Sequence, residues 1–213
     1  MIVGDAEAWI NQFRRFDERL LPRIVRIVPK CVAKLGRNAL EDDITLNLVN
    51  RLAVDPIARG IVFFEYQHHP STVDEIGSEK STGEIDFVAH FSRTRKIYLA
   101  YECKRLNIPS GSSKKSLATE YVKEGVHRFV TEQYSEGLPM GCMLGYVLDG
   151  DVPDANAKVR GALKKHELQI ALDGEPVDLE SIQSALRFSS RHKRAKSGLL
   201  IEVRHSLVSC MSC

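Results

Sequence analysis

The sequence predicts a mixed α/β fold, a central β-sheet flanked by helices. Three observations point there. Apolar residues recur at helical spacing in three separate stretches, and a fourth reads as helix. Six short runs of strand length, rich in β-branched, aromatic or other apolar residues, lie between and after them. The two kinds of segment interleave along the chain, as they do when helices cover a sheet.

Taken in order, residues 6–35 read as helix, with Ile10, Phe13, Phe16, Leu20, Ile24 and Val28 on one stripe. Pro22 is expected to break that run. Asn38 can cap a second helix reaching about Leu52, with Leu40, Ile44, Leu48 and Leu52 as its apolar stripe, and Asp55-Pro56 ends it. Residues 61–66 (IVFFEY) form the first strand, and the polar stretch 67–83 reads as a long loop. Residues 85–91 and 97–104 are the clearest strands. A second polar loop, 107–116, leads into a helix at 117–134 that carries Tyr121, Val122, Phe129 and Val130 on one side. The apolar run 140–148 has buried-strand length between turn-like flanks. A helix at 155–172 and strands at 185–190 and 199–207, joined by a basic linker, complete the chain. The whole reads as a single domain over 1–213, with N-terminal helices at 1–36 and a C-terminal strand pair at 185–208.

The chain has 213 residues, 43% hydrophobic and 27% charged, enough for one domain with a real core. Cys31, Cys103, Cys142, Cys210 and Cys213 make an odd, scattered set, which implies free thiols in a reducing compartment. Cys210 and Cys213 supply half a zinc site. Pairing with His68 and His69 is one reading of them, and a frayed tail is the other. No apolar run could span a bilayer, and the N-terminus lacks a secretory pattern, so a cytoplasmic protein with no membrane partner is expected. A net charge of +2 is neutral on nucleic acid. Clustering is more informative: Arg187, Arg191, Lys193, Arg194, Lys196 and Arg204 lie close together.

The segment from Glu84 to Arg105 carries the chemistry. Its first strand puts Ile85, Phe87, Ala89 and Phe91 on one face and Glu84, Asp86, Val88 and His90 on the other. Its second puts Ile97, Leu99, Tyr101 and Cys103 on one face and Tyr98, Ala100, Glu102 and Lys104 on the other. The division reads as a core face and a polar face. The short polar connection implies antiparallel pairing, and a turn centred on Thr94 sets Asp86 opposite Glu102 and Glu84 opposite Lys104. Two carboxylates at about 4 Å repel by roughly 4 kcal/mol at an effective dielectric of 20. A proton, a neighbouring cation or a metal ion must offset that. An all-oxygen site suits Mg2+ or Mn2+ rather than Zn2+. The competing reading is a solvated ion-pair cluster on the outer face of a sheet, for which two opposed like charges are a poor choice.

Asp86, then Glu102-Cys103-Lys104 at the end of the next strand, resembles the PD-(D/E)xK motif of restriction-endonuclease-like nucleases, with Ile85 where the motif has proline. The resemblance spans residues 38–148: an acid-bearing helix before the hairpin, then a helix and an apolar strand after it. It implies a restriction-endonuclease-like sheet and Mg2+-dependent phosphodiester hydrolysis, with Mn2+ as a substitute. Asp86, Glu102 and the main-chain carbonyl of Cys103 would bind the ion, and Lys104 would orient or activate the attacking water. Many members add an acid from the preceding helix. Glu41 is the candidate here, weighed against a capping box with Asn38. Others use a side chain from the following helix, for which Gln133, Tyr121 and Arg128 are in range.

Phosphate contacts come mostly from Lys and Arg. Arg105 adjoins Lys104, and Lys114 and Lys115 follow in the serine-rich loop. Arg191, His192, Lys193, Arg194 and Lys196 lie in or beside the basic linker, which reads equally as a solvated turn. His192 and His205 are candidates for protonating the leaving group. No base-reading motif is present, so no sequence specificity follows. The expected function is a metal-dependent endonuclease acting on DNA, with RNA left open. Fold-level analogy suggests a restriction or anti-phage defence effector, as a homodimer or with a sensor or ATPase partner. The alternatives are a catalytically silent subunit binding nucleic acid or a partner, and a structure-specific repair or recombination nuclease.

Overall fold

α1 (Ala6–Leu35) runs unbroken for thirty residues with Pro22 and Pro29 inside it. The expected break at Pro22 does not occur. Leu20, Leu21, Ile24, Val25 and Val28 are all buried, and packing along that stripe outweighs the hydrogen bond lost at each proline. The computed structural model describes residues 6–36, 38–73, 79–81, 83–91, 95–111 and 113–211. α2 (Glu41–Val54) begins with Leu40 at its N-cap and no side-chain cap, so the capping box with Asn38 is absent. Asp55 closes α2. Its carboxylate accepts from the Ile57 and Ala58 amides and pairs with Arg23 and Arg26 of α1, tying the two helices together.

Among the described residues, seven strands form one mixed sheet in the order β1 (Phe63–His68), β4 (Ile85–His90), β5 (Tyr98–Leu106), β8 (Met140–Val147), β11 (Leu200–Ser209), β10 (Ala185–Lys193) and β9 (Val177–Ile182). β5, β8 and β11 run parallel at the centre, and the outer strands pair antiparallel. The architecture is therefore α/β with a mixed sheet. Sequence reading passed over β9, an edge strand with no buried residue, in which only Val177 and Leu179 alternate with polar neighbours. The two expected loops each hold a small hairpin: β2 (Ser71–Val73) with β3 (Glu79–Ser81), and β6 (Ile108–Ser110) with β7 (Ser113–Lys115).

The division of the β4–β5 hairpin into a core face and a polar face is corrected: both faces are covered. β5 is buried along its length except at Lys104 and Arg105. On one side Tyr101 donates to Asp17 of α1 (3.2 Å), and Tyr146 bridges Cys103 and Thr45 of α2. On the other side lies a continuous helix made of α3 (Ala118–Glu120), a π-helical stretch (Tyr121–Val126) and α4 (His127–Val130). Gly125 permits its close approach. A Cβ there would collide with the end of Met143 and lie 3.6 Å from Glu102 Cγ. α5 (Val152–Lys165), capped by Asp151, packs against β10 and β11.

The frayed-tail expectation is also corrected as far as Cys210, which is buried at the end of β11, while Cys213 lies outside the described residues. Cys31, Cys103, Cys142 and Cys210 are free and buried. Among the described residues no helix is long and apolar enough to cross a membrane.

Candidate active site

Phe87 lies across from Tyr101 and His90 across from Tyr98, the expected register, while the expected turn centre Thr94 lies outside the described residues. The ladder stops one pair short of Asp86 and Glu102. There the Asp86 side chain replaces a ladder partner, and the Cys103 amide donates to Asp86 Oδ2 at 2.6 Å. Three further elements meet this point. Glu41, in the first turn of α2, accepts from Lys104 Nζ (2.8 Å) and, through its other oxygen, from the Arg105 amide (2.8 Å). Lys104 Nζ also pairs with Glu102 (2.9 Å) and donates to the Cys103 carbonyl (2.9 Å), the carbonyl expected to face an ion. Arg128 of α4 donates to the same Glu102 oxygen (2.9 Å) and to the Tyr134 hydroxyl (2.6 Å), which in turn donates to the Glu84 carbonyl.

The electrostatics of this group are costly. Glu102 is fully buried and its Oε2 has no hydrogen-bond partner. Burial raises its pKa, and the charges of Lys104 and Arg128 offset only part of that. Burial, and then the charge of Glu102, push Asp86 up to about 8 against Lys104 and the Cys103 amide. Burial also disfavours the Lys104 ammonium, but Glu102, Glu41 and Asp86 outweigh it and hold its pKa above the ordinary lysine value. The site therefore contains a fixed cation, a protonatable carboxyl and an orphaned carboxylate oxygen. All the donors on offer are oxygens, which fits a hard divalent cation. Among the described residues only Glu65, His68 and His90 bring three donor atoms within 4.8 Å of one another. Glu102 and Glu41 instead pair with the Lys104 ammonium, and Asp86 accepts from the Cys103 amide.

The remaining candidates divide by burial. Lys114 is neutralised by Asp149, Asp151 and Asp154 (2.8–3.0 Å), and Arg105 reaches back to the Ala39 carbonyl (3.1 Å). Lys115, Lys193 and Lys196 are exposed, as is Arg191, which pairs with Asp173 (3.2 Å). His192 and Arg194 are corrected as phosphate contacts because both are buried. His192 donates to the Ile170 carbonyl (2.8 Å) and accepts from Ser190 (2.7 Å), and burial pulls its pKa down to about 4. Arg194 donates to the Ser135 carbonyl (2.6 Å). His205 is fully buried between Ser190 and Tyr121, so it has no route to a leaving group, and Tyr121 belongs to the core. Gln133 lies over Gly83, and of the three helix candidates Arg128 alone bonds to Glu102.

The basic linker nonetheless reaches the site indirectly. Its Ala195 amide donates to the Val130 carbonyl (3.0 Å), and the Lys196 and Ser197 amides donate to Glu132 (3.1 and 2.9 Å). The turn is thereby docked on the end of α4, the element that carries Arg128 to Glu102. Nothing in the sequence pairs these two segments, which are more than sixty residues apart. Comparison with family models, with curated proteins and with solved structures found no match to this chain.

Proposed function

We propose that this protein is a Mg2+-dependent nuclease of restriction-endonuclease-like fold that hydrolyses DNA phosphodiester bonds. One observation carries the reading. A fully buried glutamate with an orphaned oxygen pairs with a lysine, and burial together with the glutamate's charge raises the pKa of a nearby aspartic acid to about 8. Such an arrangement destabilises a fold unless a ligand relieves it.

Asp86, Glu102 and Glu41 are the residues that would hold the cation. When bound, it supplies charge that polarises a phosphate and lowers the pKa of water. Lys104 stays an ammonium at neutral pH, so it acts as fixed positive charge beside the phosphate and not as the base. Asp86 must release its proton before it can ligate, so cation affinity rises with pH up to about 8. Arg128, a third exposed, is placed to stabilise negative charge on the open side. Lys193 and Lys196 supply backbone contacts.

A second reading has its own support. The ion pairs of Lys104 with Glu41 and Glu102, and of Arg128 with Glu102, neutralise the acids without any metal, as a catalytically silent binding subunit requires. Plasmid incubated with and without Mg2+ or Mn2+ separates the two. Metal-dependent nicking that is lost in Asp86→Asn and Lys104→Met is expected. Binding without cleavage, with DNA and RNA alike and in either metal, refutes the nuclease. Branched, single-stranded and methylated substrates then distinguish a defence effector from a repair or recombination enzyme.

A further inference from the structure

The geometry points to a second cation site, formed by Glu65, His68 and His90, that takes an imidazole-preferring divalent ion of the zinc class. It lies at the sheet edge, where β1 pairs with β4. His68 donates from Nδ1 to Glu65 Oε1 (3.0 Å) and His90 from Nε2 to Glu65 Oε2 (3.2 Å), and one donor atom from each residue falls within 4.8 Å of the others. Donors around a tetrahedral ion with bonds of about 2.0 Å stand roughly 3.3 Å apart. The two nitrogen–oxygen separations are of that size but run to different oxygens of Glu65, so closing on an ion requires the carboxylate to turn one oxygen toward both imidazoles and the imidazoles to approach each other.

The backbone is arranged to bring these groups together. Glu65 lies opposite Val88, and His68 is three residues further on, which regular alternation would place on the other face of the sheet. Gln67, between them, has φ 51 and forms no ladder pair of its own. This break turns His68 toward Glu65, His90 and Tyr98, with ring centroids 5.9 and 5.3 Å from the last two. Positive φ at a non-glycine residue costs energy and persists where something compensates. His90 is fully buried, stacked against Phe63, and its Nδ1 has no partner. An apolar side chain would fill that place at lower cost. Glu65 keeps a third of its side chain exposed, which leaves a route for the ion and room for water as a fourth ligand.

Two imidazoles and one carboxylate select zinc-class ions over Mg2+. The site is also separate from the Asp86 group. Asp86 and His90 are four residues apart on β4, about 13 Å, whereas paired metals of a two-metal centre stand about 4 Å apart. An ion here would pin the edge strand β1 to β4.

The test uses the full chain stripped of metal and held in millimolar Mg2+, so that oxygen-rich sites are occupied. Titration with Co2+ is expected to give visible d–d absorption saturating at one equivalent, and Zn2+ to displace Co2+ and raise Tm. The Glu65→Gln/His68→Asn double variant should lose the bands and bind Zn2+ at least a hundredfold more weakly. Should that variant melt early without metal, His68→Asn alone is compared and should lose at least tenfold. Unchanged affinity and stoichiometry in these variants, as thiol binding would give, overturns the site. So does the absence of a saturable Co2+ signal in the parent protein. Neither result bears on Mg2+-dependent cleavage.

Discussion

Replacing Asp86 by asparagine should make the metal-free protein more stable, and by an amount that depends on pH. The carboxyl titrates near 8 in the fold against 3.8 for an unperturbed aspartate. A folded pKa raised above the unfolded one favours the native state fully below pH 3.8, and that advantage is lost as pH climbs to 8. At 1.36 kcal/mol per unit, the penalty reaches at most about 4 kcal/mol at pH 7. Movement of Lys104 toward the charge reduces it, so a gain of about 2 kcal/mol is expected in the variant. The amide oxygen can still accept from the Cys103 amide, so the backbone contact is retained. For a chain of this size the gain corresponds to a Tm rise of roughly 4–8 °C. Thermal melts in EDTA at pH 4, 6 and 8 read it directly. The difference between variant and parent should be near zero at pH 4 and largest at pH 8. Millimolar Mg2+ should raise the parent's Tm and leave the variant's unchanged. A variant less stable than its parent at pH 8 would mean that Asp86 is a structural ion-pair partner, and the reasoning about the site would fail with it.

Other perturbations should act differently. Lys104→Met leaves Glu41 without its cation and Glu102 with Arg128 alone, so it should destabilise by about 3 kcal/mol in urea melts as well as abolish cleavage. Asp17 is buried under Arg187 (3.2 Å) and Arg204 (3.0 Å) and accepts from Tyr101, so Asp17→Asn should cost about 3–5 kcal/mol by the same measurement. Lys193→Glu/Lys196→Glu should leave Tm within about 1 °C, since both side chains are exposed, and should weaken DNA binding. The slope of log K against log salt should fall by about 2. An unchanged slope would remove the basic turn from the interface.

The local pattern of this chain determined a good deal. Apolar spacing and composition located the helices and six of the seven strands of the main sheet, because five of those strands bury residues and the sixth, β1, is half-buried and rich in aromatic residues. The β4–β5 register was legible because a short turn and two alternating strands leave few pairings that keep Phe87 and Tyr101 inside. Asp86, Glu102 and Lys104 could be named for the same reason. What lay beyond local sequence depended on segments distant in the chain. α1 runs through Pro22 because the sheet beneath it supplies packing that no propensity records. Glu41 bonds to Lys104 and Arg105 rather than to its own helix end because the fold brings a buried ammonium to it. His192 and Arg194 stand in a basic run yet are interior, since the covering of β10 decides which charges meet water. The grouping of Glu65 and His68 with His90 needs β1 to pair across a long connection and one residue of reversed φ, and neither leaves a local mark. Short-range sterics and hydrophobicity specify elements, whereas desolvation and long-range contacts specify which charges are paired, buried or free to act.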